Sequence, residues 1–495
     1  MTRKNSGWGA ARSLAALALT FLLGVTALSA KTPSITLSPT SGPPTSTIAV
    51  GGTAFGISEA VDIYFDTTDL ALASTNGAGA FSGIGITVPS SAVPGTHWVT
   101  ALGRHSGLSA QKSFTVETNW GEFRRGLTHN GYNPVENVLS TATVPRLDLQ
   151  WSAATGDIIT SSPAVANGVV YVGSQDAKLY AFNAATGAVL WSAATGAAIE
   201  SSPVVANGVV YVGSDDQSLY AFNATTGAKL WSVTTASDIL SSPAVANGVV
   251  YVGSYDGNLY AFNATTGAKR WSFFTLNKIY SSPAVANGVV YFGSEDNHLY
   301  ALNAATGHFL WSALTGAAIT SSPAVASGVV YVGSEDNYLR AFTAGGVQVW
   351  YGYTNNAIVS SPAVSNGVVY VGSEDGMLYA FSAVDYMSSA LPLWTANTGT
   401  SIFSSPSVAN GVVYIGSDYS LWAFNAATGA PLWSAATGNS ITSSPAVANG
   451  VVYVSSNDHS LYAFALPPPE ASMFAPPPQP DPATLRPDLT LTVQP

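Results

Sequence analysis

From residue 147 to residue 466 the chain alternates short apolar runs with tight polar punctuation, and one arrangement of them recurs along the whole stretch. In the first copy, residues 162–166 (SPAVA) lead through Asn167-Gly168 to an apolar run at 169–172 (VVYV), and a polar turn at 173–177 leads to a second run at 179–182 (LYAF). The turn 183–187 (NAATG) then opens a last run at 189–192 (VLWS). Runs this short fit strands, because nothing between the Gly and Pro punctuation keeps the 3.6-residue apolar period of a helix. Asn-Gly is the strongest short hairpin signal, since both central residues of a type I′ turn take positive φ. VVYV and LYAF are apolar on both faces, which predicts strands sandwiched between neighbouring sheets.

The copies can be counted from two markers. The Ser-Ser-Pro prolines are Pro163, Pro203, Pro243, Pro283, Pro323, Pro362, Pro406 and Pro445, and the tryptophans are Trp151, Trp191, Trp231, Trp271, Trp311, Trp350, Trp394 and Trp433. Both series step by 40, 40, 40, 40, 39, 44 and 39 residues, which makes eight units of four strands. A period of 40 to 45 residues built of strands indicates the blades of an all-β propeller. The tryptophans are expected to dock the blades on one another, each burying a large apolar area. The series is also offset at its ends: a Trp strand (147–152, LDLQWS) precedes the first Ser-Ser-Pro, and the last unit stops after its third strand at 461–464. The early strand is therefore expected to complete the last blade and close the ring, removing open sheet edges.

The segments outside the repeat read differently. Arg3, Lys4 and Arg12 precede the apolar run 13–30, which ends on small residues. This is the pattern of a secretory signal peptide over residues 1–30, with an uncleaved anchor as the alternative. Residues 33–118 carry alternating apolar runs such as 61–65 (VDIYF) between turn clusters, the spacing of a small β-sandwich. The stretch 34–56 (SITLSPTSGPPTSTIAVGGTAFG) resembles the opening of immunoglobulin-like IPT/TIG domains, a resemblance that implies a spacer or interaction unit. Residues 119–146, with Arg124, Arg125, His129 and Glu136, read as a strap on the next domain or as a functional loop. Residues 467–495 hold ten prolines in 29 residues and read as a disordered spacer, with a Pro-rich ligand for a partner as the alternative.

The run 181–191 (AFNAATGAVLW) resembles the tryptophan-docking repeat, Ala-x-Asp-x-x-Thr-Gly-x-x-x-Trp, of pyrroloquinoline-quinone-like (PQQ-like) β-propellers. Its Thr-Gly-x-x-x-Trp part recurs at 226–231, 266–271, 306–311 and 428–433, with Asn where that family often has Asp. The fifth unit is shortened at 343–346 and the sixth carries an insertion at 385–391. The resemblance implies an eight-bladed propeller. It also implies two classes of function: quinoprotein dehydrogenases that hold PQQ with calcium, and non-catalytic scaffolds of the bacterial envelope.

Composition narrows these. The 495 residues are 47% hydrophobic and only 9% charged, with a formal net charge of −11 and no cysteine. Disulfides, thiolate metal sites, cysteine nucleophiles and lipidated cysteines are excluded, and so is the adjacent cysteine pair often found beside the quinone. Between Trp151 and Phe464 there are 16 Asp and Glu against six Lys and Arg. Twelve of these acids lie in the turns between second and third strands, on one propeller face. In the turns with two acids the pairs are Asp215 and Asp216, Glu295 and Asp296, Glu335 and Asp336, and Glu374 and Asp375. The last acid of each turn is expected to bond its own turn, and the extra ones to form an acidic rim that attracts basic partners and repels nucleic acid. Asp238 and Lys278 fall in inter-blade loops on the same face. The histidines show no metal spacing, and no phosphate loop or nucleophile elbow is present.

The expectation is an exported protein, extracellular, cell-surface or periplasmic, and monomeric, with no membrane span once the signal is cleaved. It would be non-catalytic, without catalytic or metal residues or a cofactor, and would take a protein or glycan ligand on a propeller face. A PQQ- and calcium-dependent dehydrogenase and a carbohydrate-binding propeller are the alternatives.

Overall fold

The computed structural model describes residues 31–384 and 389–494. The signal-like segment 1–30 and part of the sixth-unit insertion lie outside the described residues. Among the described residues no helix is long and apolar enough to cross a membrane.

Residues 34–116 form two sheets packed on one core. Ser34–Ser38, Thr47–Thr53 and Phe81–Thr87 make a three-stranded sheet. Ser41–Gly42, Ser109–Val116, Gly95–Gly103, Ala60–Phe65 and Thr68–Ser74 make a five-stranded one, in that order. The period-2 pattern does the sorting: Ile35, Leu37, Ile48 and Val50 turn inward to meet Val61, Ile63, Val99 and Phe114.

Among the described residues the repeat forms eight sheets of four repeat strands, in sequence order from the channel outward in all but the last. In the first blade these are Ala164–Ala166, Val169–Ser174, Lys178–Asn183 and Val189–Ala194. The hairpin turn between the first two strands has φ of 52° at Asn167 and 75° at Gly168, as type I′ requires. The middle strands are buried on both faces, while the outer strand is half exposed. Asp148–Ala154 pairs antiparallel with Ser460–Ala465, so the early strand does complete the last blade.

The blades are locked to one another in three ways. Trp191 donates its indole N–H to the Ala224 carbonyl of the next blade at 3.1 Å, and Tyr171 Oη donates to the same oxygen at 3.0 Å. Trp151, Trp231, Trp271, Trp311 and Trp394 repeat the indole bond at 2.9 to 3.2 Å, and Trp433 donates to Leu147. Trp350 is the exception: it is buried, and its indole N–H has no partner among the described residues. Second, the glycine ending each Val-Tyr-Val-Gly run leaves room for an isoleucine of the next blade: a Cβ on Gly173 would stand 2.1 Å from Ile199 Cγ2. Third, the Ser162 amide donates to Ser202 Oγ, and the same bond passes through Ser242, Ser282, Ser322, Ser361, Ser405 and Ser444 back to Ser162. These eight bonds of 2.9 to 3.2 Å close on themselves around the channel.

The innermost strands have a free edge facing the channel, and the strap bonds to it in six of the eight blades. Trp120 exchanges both backbone bonds with Val165, and Val205, Val285, Val325, Val364 and Val408 donate to carbonyls of Gly121, Leu127, Thr128, Asn130 and Gly131. Tyr132–Asn133 then adds a parallel strand to Ser407–Ala409. Arg124, 2% exposed, donates Nη2 to the Pro362 carbonyl at 2.5 Å and Nε to His129 at 3.1 Å.

The proline-rich segment corrects an expectation. Instead of a disordered spacer, residues 467–494 run back along the first domain. Glu470 pairs with Arg146 at 2.6 Å, Gln111 donates to the Pro480 carbonyl at 2.8 Å, and Leu485 is buried. The Asp488 amide donates to Asp69, and Gln494 donates to the Leu72 carbonyl on the edge strand Thr68–Ser74. Prolines cannot donate to a ladder, but they keep carbonyl acceptors and apolar rings, and their pre-set φ lowers the entropy cost of docking.

Candidate functional site at the channel mouth

Each turn between second and third strands ends on an acid, and in seven blades that acid is consumed by the fold. Asp256 accepts from the Asn258 amide at 2.8 Å, from the Ala236 amide at 2.9 Å and from Tyr260 Oη at 2.7 Å. Burial alone would raise its pKa, but these bonds outweigh it and hold the carboxyl below its usual range. Asp216, Asp296 and Asp375 have the same three kinds of partner, and Asp336 replaces the tyrosine with an ion pair to Arg340 at 2.6 Å. Four of the acids in the expected interaction face are thus spent on binding a blade to the loop that leads into it.

The residue before each Ser-Ser-Pro behaves in the opposite way. The serines themselves are the same in all eight copies and buried, whereas the preceding positions are Thr160, Glu200, Leu240, Tyr280, Thr320, Val359, Phe403 and Thr442. Seven of these, with Glu335, line a cavity of about 350 Å³ at the mouth of the channel. The eightfold pattern ends at this ring, just above the serine belt that closes the propeller.

Around the cavity the extra turn acids and the inter-blade loops supply charge. The Gln175 amide donates to Glu200 at 3.0 Å, and Thr320 donates to Glu335 at 3.1 Å. Burial, then the charges of Glu200, Asp238 and Asp216, push the Asp215 carboxyl up to about 6, and its Oδ1 has no partner among the described residues. Burial also raises Glu200, with Asp238 adding to the effect against the Gln175 bond. Glu295 is raised by burial, Lys278 opposing and Glu335 adding, and Glu374 is raised by burial and by Glu335. Lys278 Nζ lies 4.5 Å from the Tyr255 ring centre, and Tyr255 lies 6.3 Å from Tyr280. Backbone bonds seat both loop residues at this rim: Tyr255 donates to the Asp238 carbonyl at 2.9 Å and Glu295 to that of Lys278 at 3.0 Å.

Of the sequence-derived residues, Asp215, Asp238, Lys278, Glu295, Glu335 and Glu374 are brought to the rim, while Asp216, Asp296, Asp336 and Asp375 are built into the turns. Glu200, Tyr255 and Tyr280 were missed. The signal for Glu200 and Tyr280 was present, because the position before Ser-Ser-Pro varies among otherwise near-identical copies. The rim is a shallow, acidic and aromatic surface. Among the described residues no group of three or more His, Asp or Glu side chains is arranged to hold a metal ion.

Comparison with known proteins gives the fold its place. The structure resembles that of BamB from Moraxella catarrhalis with a TM-score of 0.57 and 19% identity, over 64% of this chain and 99% of that one. It resembles quinohemoprotein alcohol dehydrogenase from Comamonas testosteroni with a TM-score of 0.62 and 16% identity, over 70% of this chain and 80% of that one. A europium-containing methanol dehydrogenase matches at 0.61 and 14% identity, over 70% and 98%. At these identities the likeness is one of fold. A comparison with curated protein sequences gave no match. The family model described as outer membrane protein assembly factor BamB matches residues 143–241, 234–322, 310–386 and 391–466, so the chain belongs to this family of PQQ-like repeat propellers.

Proposed function

We propose that the protein is an exported, non-catalytic binding or scaffolding module that engages protein ligands through the channel-mouth face of its propeller. The observation that carries this reading is where the repeat breaks. Buried positions that build and close the ring recur in copy after copy, while the rim above them varies, setting Glu200, Glu335 and Tyr280 among threonines, Val359 and Phe403. Variation of that kind at the open mouth is not needed to close the ring, so it is assigned to a ligand. The family model supports a protein partner, and the first domain serves as an immunoglobulin-like spacer. The acidic rim disfavours nucleic acid.

The mouth does not fit pyrroloquinoline quinone. The quinone carries three carboxylates, whereas the rim offers Glu200, Asp215, Asp238, Glu295, Glu335 and Glu374 with Lys278 as the cation beside them. Two anionic surfaces would repel, and no redox step is derived. Mixing the full chain with the quinone and calcium tests the reading. No quinone absorbance band and no dye reduction on alcohols or sugars are expected, and a saturable band with turnover would overturn it. A glycan array separates a sugar ligand from a protein one.

A further inference from the structure

A second set of exceptions to the repeat lies farther out on the same face. The last residue of each outer strand pairs with the residue just after the acid turn, as Phe274 does with Asn258, Leu314 with His298 and Tyr353 with Tyr338. These three successive blades carry large apolar side chains, 63%, 68% and 50% exposed, where the other five blades carry alanine, threonine or asparagine. Leu276, in the loop between the first two of them, is 82% exposed, at a position that is Gly, Ala or Asn in the other loops that bond the turn acid in this way. Four large exposed apolar groups in one sector exceed the scattered single residues that a soluble surface tolerates.

The inner part of the same sector is acidic. Glu295 and Glu335 sit on the blades that carry Leu314 and Tyr353, and Tyr255 sits on the blade of Phe274. Moving outward along one inter-blade loop, the chain passes Tyr280, Lys278 and Leu276. Carboxylates toward the channel and apolar groups toward the outer edge therefore lie side by side across three blades. The opposite sector has Ala154, Ala436, Ser440 and Thr442 at the corresponding places.

Resting on the binding-module reading, we infer that this sector docks a segment of a partner protein that pairs basic with apolar residues, the basic ones toward the channel mouth and the apolar ones over Phe274, Leu276, Leu314 and Tyr353. Charge complementarity selects the basic half, and burial of the exposed side chains drives the other.

The test is fluorescence anisotropy of the full chain with a labelled dodecapeptide of alternating Lys and Leu. Peptides of Lys with Ser and of Glu with Leu serve as comparisons. The Lys/Leu peptide should bind and the other two at least tenfold more weakly. Phe274→Ser with Leu314→Ser, and separately Glu295→Gln with Glu335→Gln, should each weaken it at least tenfold without lowering Tm, because all four side chains reach solvent. The pair Ala154→Ser with Ala436→Ser should change nothing. Equal binding of all three peptides, or affinity untouched by both variant pairs, would overturn the assignment. Binding lost only in the alanine pair would also overturn it, while leaving the binding-module reading in place. Quinone-dependent dye reduction would remove both.

Discussion

Gly253 has no room for a side chain: a Cβ there would stand 2.3 Å from Ile279 Cγ2 and 3.0 Å from the Ile279 carbonyl of the next blade. Gly253→Ala should cost about 1 to 3 kcal/mol as the two blades are forced apart, read as a lowered Tm. Asp256→Ala strips four donors of their acceptor and should cost a similar amount, about 1 to 3 kcal/mol. Both residues could be placed in the repeat from sequence, but their reasons could not, because Gly253 meets Ile279 in the loop that follows its blade and Asp256 meets Ala236 in the loop that leads into it. His97 shows the same limit. It is buried, with Nδ1 on Asp66 at 2.7 Å and Nε2 on the Val93 carbonyl at 2.7 Å. Burial alone would lower its pKa, but these two acceptors outweigh that and raise it above 6.5. The raised value means that its stabilisation is complete below about pH 6.5 and is lost as pH rises through the folded-state pKa. The first domain should therefore unfold at lower urea on going from about pH 6 to about pH 9, and His97→Phe should flatten that profile.

At the scale of elements, strands and turns were readable because Asn-Gly, Ser-Ser-Pro and Thr-Gly-x-x-x-Trp fix them locally. The course of the strap and the order of the tail were not, because they come from edges these segments cover rather than from their own periodicity. Proline content alone predicted disorder at 467–495, yet Gln494 and Asp488 reach the edge strand Thr68–Ser74 and its flank. That strand would otherwise offer unpaired backbone groups. Deleting residues 475–495 should leave the propeller folded and make the protein self-associate, seen as a concentration-dependent rise in sedimentation coefficient. Unchanged sedimentation would show that the tail does not protect the edge.

For the whole molecule, a closed ring was legible from the offset between the first Trp strand and the last unit, and the acidic face from the extra turn acids. Which acids are free to act was not legible, since Asp215 and Asp216 are neighbours in sequence but only the second is consumed by its turn. The raised carboxyls give the rim a pH dependence. Asp215 loses its charge on going below about pH 6, and Glu200, Glu295 and Glu374 lose theirs above the ordinary carboxylate range. Uptake of the Lys/Leu peptide should weaken between about pH 7 and about pH 5, in anisotropy titrations at fixed salt. The path of the strap adds a mechanical property. The chain leaves the first domain, passes around the inner wall bonded to six of the eight blades, and only then forms the strand that closes the last one. Tension between the first domain and the ring meets those backbone bonds one after another before it reaches the closing strand. A pull on the first domain would have to strip the strap from six blades before it could open the strand that closes the ring.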